Sequence, residues 1–303
     1  MTLRALLAAC LVAAPITAQA SDIRMAITVD DLPAHSALPN GETRVGIAKT
    51  FLAALKDAKA APVYGFINGV QTEREPDSTD VLKIWRDAGH PLGNHGWAHL
   101  NLARIDVATF EAELTRNEPL LQGLAAGSDW RWFRFPFLSE GDTPEKRAAV
   151  RELLKARGYH IASVTMSFGD YAWNEPYARC VAGGDQKAIA DLETRYLKAA
   201  ELSLAHSRAL SATLHGQDIP YVLLMHLGAF DARMAPRLLA FYQSLGVTFV
   251  SLEAAQAHPF YAADLAAAPA AAAPVTLENA MAARGLPAPP LSLDLAALDQ
   301  VCR

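Results

Sequence analysis

From Ile23 to about Ala257, short apolar runs rich in β-branched and aromatic residues alternate with longer stretches whose apolar positions recur every three or four residues. The short runs predict strands over 24–29, 62–67, 91–94, 132–135, 160–164, 221–225 and 248–251. The longer ones predict helices over 43–59, 78–88, 106–124, 143–157, 188–210 and 235–244. Strand and helix in regular alternation argue for parallel strands joined by crossover helices, an α/β fold. Seven strands point to a barrel; an open doubly wound sheet is the alternative, and counting alone does not separate the two. After Tyr261 the pattern gives way to an alanine-proline segment with little to pack, so residues 262–303 read as an appended tail docked by a short helix near 277–284.

Composition narrows the class. A chain of 303 residues that is 51% hydrophobic buries a large core and is not disordered. Residues 1–20 carry Arg4, an apolar run from Ala5 to Ala14 and an Ala18-Gln19-Ala20 ending, the pattern of a secretory signal cleaved ahead of Ser21. A rival lipoprotein reading would lipidate Cys10, but leaves an apolar core of only about five residues where roughly seven are expected. Without the signal, 26 basic residues face 32 acidic ones, which argues against nucleic acid as a partner. No later stretch holds the roughly 18 uninterrupted apolar residues of a spanning helix. The expectation is an exported protein, periplasmic or secreted, with its main domain over 21–261. Cys180 and Cys302 then remain as a pair for a disulfide, two unrelated thiols being the alternative.

Five segments place polar side chains at or just past predicted strand ends, where α/β enzymes keep their chemistry. Thr28-Val29-Asp30-Asp31 ends the first strand in two acids; a bend there would let one bind a metal while the other turns toward a water. His95 and His99 stand four residues apart after a Gly-His-Pro-Leu-Gly-Asn run, with His95 expected at a strand end and His99 one turn into a helix. Arg134 lies in an aromatic run, Trp132 to Phe137, where its burial requires a carboxylate such as a strand-end acid. Asp170 and Trp173 sit three apart, fit either to orient an imidazole and wall a pocket or merely to cap a turn. His226 closes the apolar strand that begins at Tyr221, as a satisfied core residue or as an acid-base group. His35, soon after the acid pair, reads as a solvated loop histidine rather than a groove residue.

In order and spacing these five segments resemble the polysaccharide deacetylase family, the NodB-homology domains of carbohydrate esterase family 4, over roughly Ile23 to His258. Val63 to Gly69 is similar to that family's second strand, and Gly89 to His95 to its Gly-His-Glu-Ile-Gly-Asn-His segment. The resemblance implies a distorted (β/α)7 barrel of the NodB-homology type and a metal-dependent hydrolase that removes N-acetyl groups from an amino-sugar polysaccharide, peptidoglycan or a chitin-like glycan. It further implies Asp31, His95 and His99 as metal ligands and Asp30 as general base, oriented by Arg134. The backbone N–H of Phe137 would help hold the oxyanion, His226 would be the general acid tuned by Asp170, and Trp173 and Leu224 would line the acetyl pocket. The implied cofactor is a divalent metal, zinc first, with cobalt, nickel or manganese as alternatives.

Three positions depart from that pattern. Leu32 replaces the usual Gly after the acid pair, Gly96 a Ser or Thr after the first histidine, and Phe137-Leu138 a Tyr-Gly. An O-acetyl polysaccharide esterase and a non-catalytic glycan-binding relative are the alternative functions. An iron oxygenase built on two histidines and a carboxylate leaves Asp30, Arg134, Asp170 and His226 without a role.

Overall fold

Each of the seven apolar runs forms a strand: β1 (Ile23–Leu32), β2 (Tyr64–Ile67), β3 (Leu92–Asn94), β4 (Trp132–Phe133), β5 (His160–Ile161), β6 (Tyr221–His226) and β7 (Val247–Phe249). The structure is a computed structural model describing residues 22–269, 271 and 273–303. The expected signal segment, Cys10 included, lies outside the described residues.

All strand pairs are parallel, in the order β5-β4-β3-β2-β1-β6, with β7 also on β1. Central β1 is flanked along its length by β6; on its other edge β7 pairs first, through Met25 and Phe249, and β2 takes over at Thr28. The sheet curls until the chain after β5 reaches β6. There Met166 bridges Leu223, its N–H donating to Val222 O at 3.1 Å while Leu224 N–H donates to Met166 O at 3.0 Å. The choice between open sheet and barrel is thereby decided for a curled, distorted (β/α) barrel. Strands β2 and β6 are buried throughout, as expected where one sheet face meets the core and the other meets helices.

The helices start where the sequence supplies caps. Side-chain oxygens of Thr43, Asp106, Thr143 and Asp185 accept the N–H groups of Gly46, Thr109, Lys146 and Ala188, opening helices Arg44–Asp57, Val107–Leu124, Pro144–Ala156 and Gln186–His215. A helix at Asn174–Gly183, missing from the sequence reading, follows a short turn at Asp170–Trp173.

The segment after Tyr261 is not loosely appended. Asp264 is buried, accepting from Arg151 Nη2 at 2.6 Å and from Ser163 Oγ at 2.6 Å. Leu277 and Met281 of the helix Leu277–Ala283, and Leu298 beyond it, are buried in the core. Cys302 is disulfide-bonded to Cys180, with Cα atoms 5.1 Å apart, and Arg179 donates to Val301 O at 3.0 Å. A few well-spaced apolar side chains dock a segment whose composition reads as linker. Among the described residues no helix is long and apolar enough to cross a membrane. Because every strand runs the same way, the carboxyl ends of β1, β3, β4 and β6 meet at one rim.

Candidate metal centre and cleft

At that rim lies a cavity of about 430 Å³, lined among others by Asp30, Asp31, His95, His99, Leu224 and His226. Adjacent strand residues normally point to opposite faces. Here the register shifts between Val29 and Leu32 and Asp31 adopts a left-handed φ of 62°, so both acids reach the same cavity.

Asp31 Oδ1 lies 3.4 Å from His95 Nε2 and 3.4 Å from His99 Nε2. One ligand atom from each of the three residues falls within 4.8 Å of the others. The second nitrogen of His95, Nδ1, is 2.7 Å from Arg134 O; a carbonyl only accepts, so Nδ1 carries the proton and Nε2 presents a lone pair. Asp31 Oδ1 is buried with no hydrogen bond of its own. Lone pairs from a carboxylate and an imidazole facing each other across 3.4 Å fit a cation between them. Burial pushes the Asp31 carboxyl up, yet hydrogen bonding from His35 and the proximity of His95 and His226 hold it well below the usual range. His99 is pushed down to about 4, mainly by burial and then by His95, so it is a neutral donor at physiological pH.

Residues 95–101 are not helical, which corrects the sequence reading of the histidine pair. Gly96 (φ 72°) and His99 (φ 55°) are left-handed, and the helix waits until the Asp106 cap. A loop, with the two rings 4.9 Å apart, brings together what helical spacing was expected to align. Buried amides brace it: Asn94 Oδ1 accepts from Gly96 N–H at 2.9 Å, Asn68 Nδ2 donates to His95 O at 2.8 Å and Asn117 Nδ2 to Ile67 O at 2.7 Å.

Arg134 does face a strand-end acid. It donates through Nη1 to both oxygens of Asp30 at 3.1 and 3.2 Å, through Nη2 to Thr28 Oγ1 at 3.0 Å and through Nε to Ala162 O at 2.9 Å. On the other flank, Asp170 takes the His226 backbone N–H at 2.6 Å and its ring Nδ1 at 3.1 Å. Burial pushes His226 down, but the Asp170 charge and hydrogen bond outweigh it and raise the imidazole to about 10. A base candidate and an acid candidate thus stand on either side of the three ligand atoms.

Known proteins resemble the chain in sequence and in fold. Residues 17–162 match the family model described as polysaccharide deacetylase. Over that stretch the chain resembles the polysaccharide deacetylase family. It is 27% identical over 169 residues to a chitin deacetylase of Pestalotiopsis sp, covering 55% of this chain and 54% of that protein. With a chitin deacetylase of Arthroderma benhamiae it shares 24% over 111 residues, 37% of this chain and 28% of the other. The chain therefore spans about half the length, or less, of these curated relatives. In fold it is similar to the solved chitin deacetylase of Colletotrichum lindemuthianum, with a TM-score of 0.52 and 20% identity over 78% of this chain and 88% of that one.

The three departures from the family pattern acquire physical reasons. Leu32 points into the core, its Cδ1 occupying the space that Gly65 leaves open. Gly96 has room for a side chain, its nearest neighbours being 3.9 Å from where a Cβ would stand, but its φ disfavours one. Phe137, left-handed at φ 58° and 63% exposed, lays its ring 4.5 Å from that of His99 and walls the cavity with Leu138.

Two expectations for this cleft need correction. Trp173 is only 2% exposed and packs against Phe168 and Tyr196; Tyr171, half exposed and 5.6 Å from the His226 ring, is the aromatic of that turn that lines the cavity. His35 is not a solvated loop residue. Its Nδ1 lies 3.1 Å from Asp31 Oδ2 and its ring 4.6 Å from that of His226. Sequence reasoning also passed over Thr28, Asn68 and Asn117. Asn68 stands just past a strand, a signal that was there to read; Asn117 lies mid-helix and carries none.

Proposed function

We propose that this chain is an exported, metal-dependent hydrolase that removes N-acetyl groups from an amino-sugar polysaccharide, peptidoglycan or a chitin-like glycan. The observation that carries the reading is the placing of an Arg-held carboxylate, Asp30, and an Asp-held imidazole, His226, around three converging ligand atoms. Asp31, His95 and His99 would hold the ion, and one carboxylate with two imidazoles suits zinc, with cobalt, nickel or manganese as alternatives. Bound there, a divalent cation lowers the pKa of water toward about 7 and stabilises a developing oxyanion.

The remaining work falls to side chains. Asp30, held in place by Arg134, accepts the proton of the attacking water. The Phe137 N–H adds a donor toward the oxyanion, and Leu224 offers apolar wall for an acetyl methyl. An amine is a poor leaving group until protonated; His226, cationic beside Asp170, supplies that proton. This held acid favours amide over ester substrates, because an alkoxide leaves with less help. Export is supported by the Cys180–Cys302 disulfide, which persists in oxidising compartments.

Acetate release from N-acetylated and O-acetylated oligosaccharides, with added zinc or cobalt, tests the reading. Asp30→Asn is expected to lower turnover at least 100-fold with metal still bound; an unchanged rate removes Asp30 from its role. His226→Ala is expected to lose far more rate on the amide than on the ester, and equal losses would favour the esterase. Glycan binding with no acetate release under any divalent metal would point instead to a non-catalytic relative.

A further inference from the structure

His35 occupies a position in this cleft that the chemistry above does not use. A carboxylate oxygen only accepts, so the 3.1 Å contact with Asp31 Oδ2 means that His35 Nδ1 carries its proton and donates it. That bond engages one oxygen of Asp31 and leaves the other, Oδ1, as the atom facing His95 and His99. The ring is itself held. On one side it packs against His226 at 33°. From behind, Arg44 donates to His35 O at 2.7 Å and to Ser36 O at 2.9 Å, while a two-point pair with Glu75, at 2.9 and 3.0 Å, fixes Arg44 in turn. Arg44 thus fixes the backbone that carries the ring, while Asp31 and His226 hold the ring itself.

We propose that His35 is a positioning residue that makes Asp31 a one-oxygen ligand. By occupying Oδ2 it prevents the carboxylate from chelating the ion through both oxygens, which keeps coordination positions free for water and the substrate carbonyl. Hydrogen-bond partners of this kind fix the orientation and basicity of metal ligands, and losing one typically costs about 10–100-fold in metal affinity. The inference rests on the proposed metal site.

The test uses the full chain and separates the two claims. Zinc affinity is measured by chelator competition for wild type, Asp31→Ala, His35→Ala and His35→Asn, whose amide nitrogen stands at the same distance from Cα as Nδ1. The visible absorption of the cobalt-loaded forms reports coordination number. Expected are a near-complete loss of affinity in Asp31→Ala and a loss of about 10–100-fold in His35→Ala, with recovery of most of it in His35→Asn. Cobalt absorption should weaken in His35→Ala, as added carboxylate coordination raises the ligand number, and should return in His35→Asn. If Asp31→Ala binds zinc like the wild type, the metal site itself is wrong. If Asp31→Ala loses zinc while His35→Ala keeps wild-type affinity and an unaltered cobalt spectrum, His35 has no positioning role. Equal losses in His35→Ala and His35→Asn also overturn it, since a merely structural ring would not be replaced by an amide donor.

Discussion

At the scale of single residues, the site is a set of charges, each kept by a named partner. Arg134 and Asp30 are both buried, and such a pair contributes little net stability while neither half tolerates losing the other. Arg134→Met is therefore expected to destabilise the fold by about 3–5 kcal/mol, measured by urea denaturation of the metal-free chain. His226 behaves differently, because its imidazole is raised to about 10 from an ordinary 6.5. A basic group whose folded pKa is raised contributes stability that is complete below about pH 6.5 and is lost as pH climbs through about 10. The urea midpoint of the metal-free protein should fall over that window, and Asp170→Asn should remove this component, since burial alone lowers the imidazole. Partners across the cleft were partly legible beforehand: an arginine among aromatics demands a carboxylate, whereas nothing local shows that His35 turns back onto Asp31.

At the scale of elements, strands were easy to read and loops were not. A parallel strand buried on both faces is a continuous apolar run bounded by breakers, so β1, β2 and β6 announce themselves. Strands β4 and β5 shrink to two residues each, and the residue just past β4 is Arg134, which turns to Asp30. The His95–His99 spacing matches a helical turn, and a left-handed Gly96 followed by a left-handed His99 leaves no periodic trace. In the same way, the short turn at Asp170–Trp173 sends Tyr171 rather than Trp173 to the cavity. Gly96→Ser, which restores the family's hydroxyl, is expected to lower stability by about 1–2 kcal/mol through its positive φ alone. The urea midpoint measures this, and the absence of a nearby steric neighbour isolates the backbone as the cause.

At the scale of the whole molecule, the C-terminal segment is part of the barrel's structure. Leu295 packs so closely on Gly169 that a Cβ there would come within 2.5 Å of it, and Gly169 is the residue before Asp170. The disulfide fastens the same segment to the helix that follows Asp170 and spans 122 residues of sequence. Cross-linking so long a loop is worth up to about 5 kcal/mol in the chain-entropy account. Reductant should lower the urea midpoint of the wild type accordingly, and a Cys302→Ser chain should start at that lower midpoint and not respond to reductant. Composition alone hid this role, since docking rests on Leu277, Met281, Leu295 and Leu298 scattered through alanine and proline. The span also fixes an order of events during biosynthesis. Every residue assigned to chemistry has been made by His226, whereas the bond waits for Cys302. At translation rates of about 5–20 residues per second, the 122 residues after Cys180 take on the order of ten seconds to emerge. Through that interval Cys180 has no Cys302 to pair with, so the cross-link onto the helix after Asp170 closes only once the end of the chain has been made.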